Sequence, residues 1–507
     1  MNHAEALARI AQFPASDPAA ALGAGLALIN ADLPELLLPA ARKLAADFPH
    51  SAQAHQLLGL AARACGDGLA AFEAFRAAAE AAPRDALIAH SHARTALEAG
   101  LPAAQLFEAA AALAPQDGAI MLGHAAALLH DGRPQDGAAL LEELLAANPL
   151  WIEGHRGLAG LRGQMGEDPL ASLAPALANH PQAPALHHLA ISLALQARDL
   201  PRAGAALAAA RAALGMPEWL VLLAGHIASE GGALSLADGH FAAAGTPVDA
   251  NAAWMHARHL VRSNQPERAA MLLEPLLDAA GAQALWPYLA LAWRMLGDPR
   301  ALWLEGDPQL VGVYDLGLSP AELTALADHL RTLHVATSAP LDQSVRGGTQ
   351  TDGNLLLRVE APIRDLKARL LTLVERHVGQ LPPPEPRHPT LLASRAPLRI
   401  AGSWSVRLEG AGFHTDHVHP QGWFSSALYL ALPETLGHGG NDHAGWLSLG
   451  EARDLVPGLE PLRLVEPKPG RLVLFPSTMW HGTRPFSAGE RLTVAFDIAR
   501  PRQDRLP

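Results

Sequence analysis

Residues 115–148 read PQDGAIMLGHAAALLHDGRPQDGAALLEELLAAN, and this stretch decides the fold of the first part of the chain. It contains two segments rich in Ala and Leu, which favour helix, separated by Asp131-Gly132, which favours a turn. The unit begins at Pro115, and the next unit begins at Pro149, 34 residues later. The stretch therefore predicts a pair of helices that recurs along the chain.

The same unit recurs on both sides of residues 115–148. Prolines begin the units at spacings of 34, 32, 34 and 32 residues, at Pro49, Pro83, Pro115, Pro149 and Pro181. A glycine follows each of the first four prolines by 17 residues, at Gly66, Gly100, Gly132 and Gly166. Pro217 and Pro247 indicate that the array continues to about residue 300. The alternative is an Ala-rich helical bundle, which does not require this fixed phase between proline and glycine.

A period of about 34 residues with two helices per unit resembles the tetratricopeptide repeat. The resemblance covers roughly 280 residues and rests on the period, because small residues occupy most positions where that repeat has Trp or Tyr. It implies a helical solenoid whose concave surface binds a peptide or a protein. Small residues at helix crossings let neighbouring helices approach closely, as a stacked solenoid requires.

The composition changes near residue 305, and the remaining residues predict a second domain. Ser319 followed by Pro, Ala and Glu is typical of a helix N-terminus, and residues 361–378 predict another helix. Short runs that alternate between apolar and polar residues predict strands at 403–408, 424–432, 445–449, 471–475 and 492–498. We therefore divide the chain into a tetratricopeptide-like repeat domain at 1–304, a helical lead-in with the first strands at 305–400, and a β-rich core at 401–507.

Histidines cluster in residues 410–420, which read GAGFHTDHVHP. If His417 and His419 lie on a strand, they point to the same face, because side chains alternate with a period of two. His481 follows His419 by 62 residues, and Arg491 follows His481 by ten. Three such histidines can occupy one face of a metal coordination sphere and leave the other positions open.

This order of residues resembles a bacterial and phage group of 2-oxoglutarate/Fe(II) oxygenases. The matching motifs are His417-Val-His419-Pro420, Leu428-Tyr429-Leu430 and Leu474-Phe-Pro-Ser477, with a further match at 340–351. The resemblance covers about residues 335–500. It implies a double-stranded β-helix, or jelly roll, with flanking helices. It also implies Fe(II) and 2-oxoglutarate as cofactors, and oxidative decarboxylation of 2-oxoglutarate coupled to hydroxylation of a C–H bond.

The resemblance also implies a role for each residue of the site. His417, His419 and His481 would bind the metal, since iron(II) that activates oxygen takes a facial set of three protein ligands. Arg491 would bind the far carboxylate of 2-oxoglutarate, because a guanidinium offers two parallel donors. Thr493 would be a second donor to that carboxylate, and the Tyr429 hydroxyl could add a third.

A second choice of metal ligands stays open at this point. The usual spelling in these oxygenases is His-x-Asp, which His414-Thr-Asp416 preserves, whereas His417 and His419 preserve the spacing to the following proline. In the second case Asp416 is expected to orient a ligand histidine by a hydrogen bond. Three histidines also bind iron in cupin-type dioxygenases, which need no 2-oxoglutarate, so the choice of ligands affects the cosubstrate.

Composition excludes several other classes of protein. The formal net charge of −12 argues against nucleic acid and anionic membrane surfaces as partners. The single cysteine, Cys65, excludes an internal disulfide framework. The sequence shows neither a signal peptide nor a membrane-spanning apolar run, so a cytoplasmic protein is expected.

The sequence thus predicts an Fe(II)/2-oxoglutarate-dependent hydroxylase that acts on a peptide or protein presented by the repeats. Two rival hypotheses remain. The first is a three-histidine, cupin-like dioxygenase acting on a small molecule. The second is a non-catalytic repeat scaffold with a degenerate barrel, which would bind no stoichiometric metal.

Overall fold

The computed structural model describes residues 3–341, 343–433, 436, 443–486 and 488–502. An array of paired helices comes first in the chain and is followed by two antiparallel β-sheets with flanking helices. This confirms the predicted fold class, a helical repeat solenoid joined to a β domain of the double-stranded β-helix type. Among the described helices, none combines the length and the apolar character that crossing a membrane requires.

The array consists of short helices joined by tight turns. They are α1 (His3–Ala11), α2 (Pro18–Asn30), α3 (Pro34–Asp47), α4 (Ala52–Ala64), α5 (Gly68–Ala81), α6 (Ala86–Glu98), α7 (Ala104–Leu113), α8 (Gly118–His130), α9 (Pro134–Ala147), α10 (Ile152–Gln164), α11 (Leu173–Asn179), α12 (Pro184–Gln196), α13 (Leu200–Leu214), α14 (Glu218–Glu230), α15 (Leu234–Ala244), α16 (Ala250–Arg262), α17 (Pro266–Leu273), α18 (Trp286–Leu296) and α19 (Arg300–Glu305). From α2 onward the even-numbered helix opens each repeat and the odd-numbered helix closes it.

A residue in the left-handed conformation ends the first helix of each repeat. Gly132, with φ of 73°, donates its N–H to the carbonyl of Leu129 at 3.0 Å, and Arg133 donates to Leu128 at 2.8 Å. These bonds satisfy carbonyls at the end of α8 that have no partner within the helix. Within the described residues, φ lies between 57° and 79° at the corresponding positions Asp32, Gly66, Gly100, Gly132, Gly166, Arg198, Gly232, Asn264 and Gly297.

Glycine on the first helix makes room for phenylalanine on the second. A Cβ at Gly59 would come within 2.6 Å of the Phe75 ring, and a Cβ at Gly123 within 2.2 Å of the Phe107 ring. Both rings are buried. The close approach explains why an array with few large aromatic residues still packs tightly, since each ring fills the space that a side chain on the facing helix would otherwise occupy.

The C-terminal part forms two antiparallel sheets and two long helices. The helices are α20 (Pro320–Thr332), which begins with a capping box between Ser319 and Glu322, and α21 (Ala361–Gln380). The strands are β1 (Gly312–Asp315), β2 (Val345–Gln350), β3 (Ile400–His414), β4 (Gly422–Ala431), β5 (Leu447–Leu449), β6 (Arg463–Val465), β7 (Arg471–Pro476), β8 (His481–Thr483) and β9 (Arg491–Ala499). The larger sheet has the order β1-β7-β4-β9-β3-β2, and the smaller has the order β6-β5-β8.

The predicted strands correspond to β3, β4, β5, β7 and β9, and both predicted helices are present. One expectation was wrong. His417 and His419 do not lie on a regular strand but follow the end of β3 at His414. His417 nevertheless pairs with His481 of β8, with which it forms an isolated antiparallel bridge.

The array is docked along the C-terminal domain through the ends of its first helices. The carbonyl of Gly66 accepts a hydrogen bond from Lys367 Nζ at 2.6 Å, and that of Ala99 accepts one from the Val359 N–H at 3.1 Å. Each carbonyl lies at the negative end of a helix dipole, where a donor is stabilising. The array therefore contacts the β domain through successive repeats.

Candidate metal centre

Three histidines meet between the two sheets. His417 and His481 exchange two backbone hydrogen bonds, of 2.9 and 3.0 Å, and His419 donates its N–H to the carbonyl of Ser477 at 2.9 Å. One ring nitrogen from each histidine lies within 4.8 Å of the other two. The structure thus brings the three histidines close enough together to hold one metal ion.

Backbone carbonyls hold two of the rings by their Nδ1 atoms. The His417 Nδ1 lies 2.8 Å from the Thr415 carbonyl, and the His481 Nδ1 lies 3.0 Å from the Met479 carbonyl. A carbonyl only accepts, so the ring proton is assigned to Nδ1 in both histidines. The Nε2 atoms therefore carry the lone pairs that a metal ion would bind, and that of His417 lies 3.2 Å from the Ser344 hydroxyl.

The third ring is held by a carboxylate that the sequence did not single out. Asp497 on β9 accepts a hydrogen bond from His419 Nδ1 at 2.8 Å and another from Ser425 Oγ at 2.6 Å. The only hint in the sequence is an acidic residue inside a strand that is otherwise mostly apolar. A carboxylate behind a ligating imidazole fixes the ring and increases its basicity.

Burial keeps two of the rings, those of His417 and His481, neutral at ordinary pH. It lowers the pKa of His481 to about 3 and the pKa of His417 well below its usual value, with neighbouring histidines contributing to both shifts. A metal ion binds the neutral imidazole, so these rings need not lose a proton at pH 7 before they bind one.

Asp416 points away from the three rings. Its carboxylate accepts hydrogen bonds from the backbone N–H of Arg453 at 2.7 Å and from Arg453 Nε at 2.8 Å. The expectation that Asp416 orients a ligand histidine was therefore wrong, and Asp497 has that position. His414, from the other candidate pair, is half-buried beside His417 and contacts Ser344 Oγ through Nδ1 at 3.1 Å.

Arg491 is buried close to the histidines without an acidic partner. Its Nη1 donates to Thr483 Oγ1 at 2.5 Å, and its guanidinium lies 5.1 Å from the centre of the Tyr429 ring. In the described part of the chain, Arg491 Nε and the Tyr429 hydroxyl are buried with no hydrogen-bond partner, and no carboxylate pairs with Arg491. Burial lowers the pKa of Arg491 and raises that of Tyr429.

A single narrow cavity joins these groups. It is lined by the three histidines together with Arg491, Thr483 and Thr493. Thr493 faces Tyr429 across β4 and β9 in register, so both side chains and Arg491 lie on the same face of the larger sheet. Thr483 was not anticipated, because it lies in β8, a strand of three residues.

These residues fit the group that the motifs imply. Three nitrogen donors converge from one side, and a buried cation with unused donors lies behind them. A single anion could bind the metal ion at one end and place a carboxylate at Arg491 at the other. It would then satisfy both the metal ion and the unused donors of Arg491.

Residues 402–497 match the family model described as "Putative 2OG-Fe(II) oxygenase". The matched segment includes all three histidines, Asp497 and Arg491. This part of the chain is a 2OG-Fe(II) oxygenase domain, and its cofactors are Fe(II) and 2-oxoglutarate. No curated protein matches the chain.

The solved structures that are similar to this chain include oxygenases and a repeat protein. A prolyl-4-hydroxylase from Pseudomonas putida is 19% identical, with 40% of this chain and 97% of that chain covered and a TM-score of 0.27. HygX from Streptomyces hygroscopicus, with nickel, 2-oxoglutarate and hygromycin B bound, is 15% identical over 39% and 85%, with a TM-score of 0.27. A tetratricopeptide repeat protein from Parabacteroides merdae is 13% identical over 53% and 95%, with a TM-score of 0.30.

Proposed function

We propose that the chain is a 2-oxoglutarate-dependent hydroxylase in which His417, His419 and His481 bind Fe(II). Arg491 binds the far carboxylate of 2-oxoglutarate, with Thr493 and Tyr429 as further hydrogen-bonding groups. The observation that supports this most is the buried Arg491, which has no acidic partner among the described residues and shares a cavity with the histidines. A buried unpaired cation is costly, and an anionic ligand would remove that cost.

The charges also favour 2-oxoglutarate over a cupin-type reaction without it. Three neutral imidazoles leave both charges of Fe(II) without a compensating ligand from the protein, and Arg491 adds a third positive charge. A dianion that reaches both the metal and Arg491 is the natural complement. When bound, Fe(II) and 2-oxoglutarate would support a reaction with O₂ in which one oxygen atom enters succinate, with release of CO₂, and the other enters a substrate C–H bond.

The protein's own residues position and shield these groups. Thr415, Met479 and Asp497 fix the three rings, so the ligand nitrogens need no rearrangement on binding. The two sheets exclude water from Arg491, which strengthens its hydrogen bonds to a carboxylate. The substrate of this reaction is a peptide or protein held by the repeat array, whose first helices face the metal centre.

Oxygen consumption measured together with succinate release tests the proposal. We expect the full chain with Fe(II) and 2-oxoglutarate to release one succinate for each oxygen consumed, slowly when no substrate is present. His481→Ala should abolish both, and Arg471→Met, which removes a less buried arginine on β7, should leave both unchanged. Oxygen consumption without succinate would instead support the three-histidine dioxygenase. Neither activity, together with no stoichiometric metal, would support the scaffold.

A further inference from the structure

A cavity of about 850 Å³ lies in front of the histidines, between the repeat array and the oxygenase domain. His417 and His419 line it on the oxygenase side. On the other side it is lined from α12, α14, α16 and α18, which are the first helices of four consecutive repeats. The histidine cluster therefore opens into a cavity whose opposite wall is formed by the repeat array.

The repeat wall of this cavity has a surplus of positive charge. Its charged residues are Arg198, Glu230, Arg258 and Arg262, a net charge of +2 in a chain whose formal charge is −12. Glu230 is fully used: its carboxylate accepts from Arg258 Nε at 2.6 Å and from Arg262 Nη2 at 2.9 Å. Two arginines on one carboxylate leave one positive charge uncompensated.

Arg198 is the second surplus charge and lies next to the metal-binding loop. Its Nη2 donates to Thr415 Oγ1 at 3.0 Å, two residues before His417. Among the described residues no carboxylate pairs with it. The acids on the oxygenase wall are Asp416, which is held by Arg453, and Asp454. The cavity is thus positive on the repeat side.

Aromatic rings line the same wall as these charges. Trp254 on α16 and Tyr288 on α18 line the repeat wall, and Tyr288 packs edge-on against Trp480 of the oxygenase domain, with ring centres 5.8 Å apart. His226 contacts Trp254, and burial lowers its pKa to about 4, so this ring is neutral at pH 7. Flat apolar surfaces beside fixed cations suit a ligand that has an apolar part and an anionic end.

We propose that this cavity is the substrate site and that its repeat wall recognises a carboxylate. Arg198 and the Arg258–Arg262 pair bind the carboxylate, Trp254 and Tyr288 contact the apolar part, and the carbon to be oxidised faces the histidines. This inference rests on the proposed function. An acidic residue of a peptide and a free carboxylic acid share the required chemistry.

Two binding screens on the full chain test the proposal. In both, Zn(II) and saturating 2-oxoglutarate fill the site formed by the three histidines and Arg491. The first uses a library of acetylated decapeptides in which each position is varied, and compares retention of Glu and Asp with Gln and Asn. The second compares free carboxylic acids with their amides by thermal shift. In one of the two screens, we expect the acid to bind about tenfold more tightly than the amide. The reason is that the amide loses one charge-assisted contact.

The matched variants are Arg198→Gln and, as a control with the same change of charge outside the cavity, Arg211→Gln. Arg198→Gln should remove the preference and Arg211→Gln should keep it. Equal retention of acids and amides in both screens, or an unchanged preference in Arg198→Gln, would overturn the proposal. Succinate release without substrate should be the same in Arg211→Gln as in the wild type. If the wild type releases none, the proposed function fails, while the binding result still decides the role of Arg198.

Discussion

At the scale of single residues, Asp497 and Asp416 have opposite relations to the metal centre. Asp497 accepts a hydrogen bond from His419 Nδ1, whereas Asp416 is paired with Arg453. The first should influence metal affinity through the imidazole, and the second should not. This difference allows the two candidate ligand sets to be separated by mutation.

We expect Asp497→Asn to weaken metal binding about tenfold, because a carboxylate behind a ligand imidazole contributes roughly ten- to hundredfold to affinity. Asp416→Asn should change metal affinity by less than about twofold, since Asp416 faces Arg453. Titration with Co(II), followed by its visible absorption, measures both. Loss of binding in Asp416→Asn would instead identify His414 and Asp416 as ligands.

The residues of the site were predicted unevenly from the sequence. Motif spacing singled out His417, His419 and His481, and the structure brings one ring nitrogen of each within 4.8 Å of the others. Asp497 and Thr483 were missed because their roles depend on pairing between strands that are far apart in the chain. Asp416 was misassigned because proximity in sequence to a histidine says nothing about which way its side chain points.

Arg491 should lower the stability of the ligand-free protein. It is 2% exposed and, among the described residues, has no acidic partner. We expect Arg491→Met to raise the free energy of unfolding of the ligand-free protein by about 1 kcal/mol, because it removes a buried unpaired charge. In the presence of metal, 2-oxoglutarate should raise the Tm of the wild type and not of Arg491→Met. A clear loss of stability in the ligand-free variant would contradict this assignment.

At the scale of elements, the repeat turns show what a sequence pattern can reveal. Glycines identified four turns because glycine adopts the left-handed conformation without steric cost. Asp32, Arg198 and Asn264 adopt the same conformation, with φ of 57° or 58°, and gave no such signal. Short strands such as β8 were missed for a similar reason, since three residues are too few to show alternation.

The last helix of the array, α19, ends on a buried carboxyl group. Burial raises the pKa of Glu305 to about 7, and Arg294 opposes the shift. The folded protein therefore holds a proton on Glu305 between pH 4.5 and pH 7, where the unfolded chain has lost it. The contribution of protonated Glu305 to the free energy of unfolding is complete below pH 4.5 and is lost as the pH rises toward 7.

We expect Glu305→Gln to remove this pH dependence. As the pH rises from 4.5 to 8, the free energy of unfolding of the variant minus that of the wild type should increase by about 3 kcal/mol. Urea unfolding at both pH values measures the difference. Glu108→Gln, on the exposed face of α7, controls for the change in net charge. A constant difference between Glu305→Gln and the wild type would show that Glu305 titrates normally.

At the scale of the whole molecule, docking of the array creates the cavity between the repeats and the oxygenase domain. The wall that contains Arg198 and Tyr288 belongs to repeats far from the metal ligands in sequence. No local pattern could predict it, because its position depends on how the array packs against the oxygenase domain. Contacts such as Val359 to Ala99 hold that packing in place.

Gly68 tests the docking directly. A Cβ at this position would lie 2.3 Å from the Leu357 carbonyl oxygen, a backbone atom of the oxygenase domain. We expect Gly68→Ala to separate the two surfaces locally and to increase hydrogen exchange at the Val359 amide at least about tenfold. Gly204→Ala, a helical position with no atom within 4 Å of its added Cβ, should leave that amide unchanged. Equal protection in both variants would show that the contact at Gly68 does not hold the array.

The most direct test of the central claim is an anaerobic titration of Fe(II) into the full chain, with and without 2-oxoglutarate. The visible charge-transfer band of a metal-chelated 2-oxo acid reports both ligands at once. We expect the band in the wild type at one iron per chain, no band in His481→Ala, and a band in Arg491→Met only at much higher 2-oxoglutarate. Stoichiometric iron binding by the wild type with no band at any 2-oxoglutarate concentration would contradict the assignment of Arg491 and of the cosubstrate.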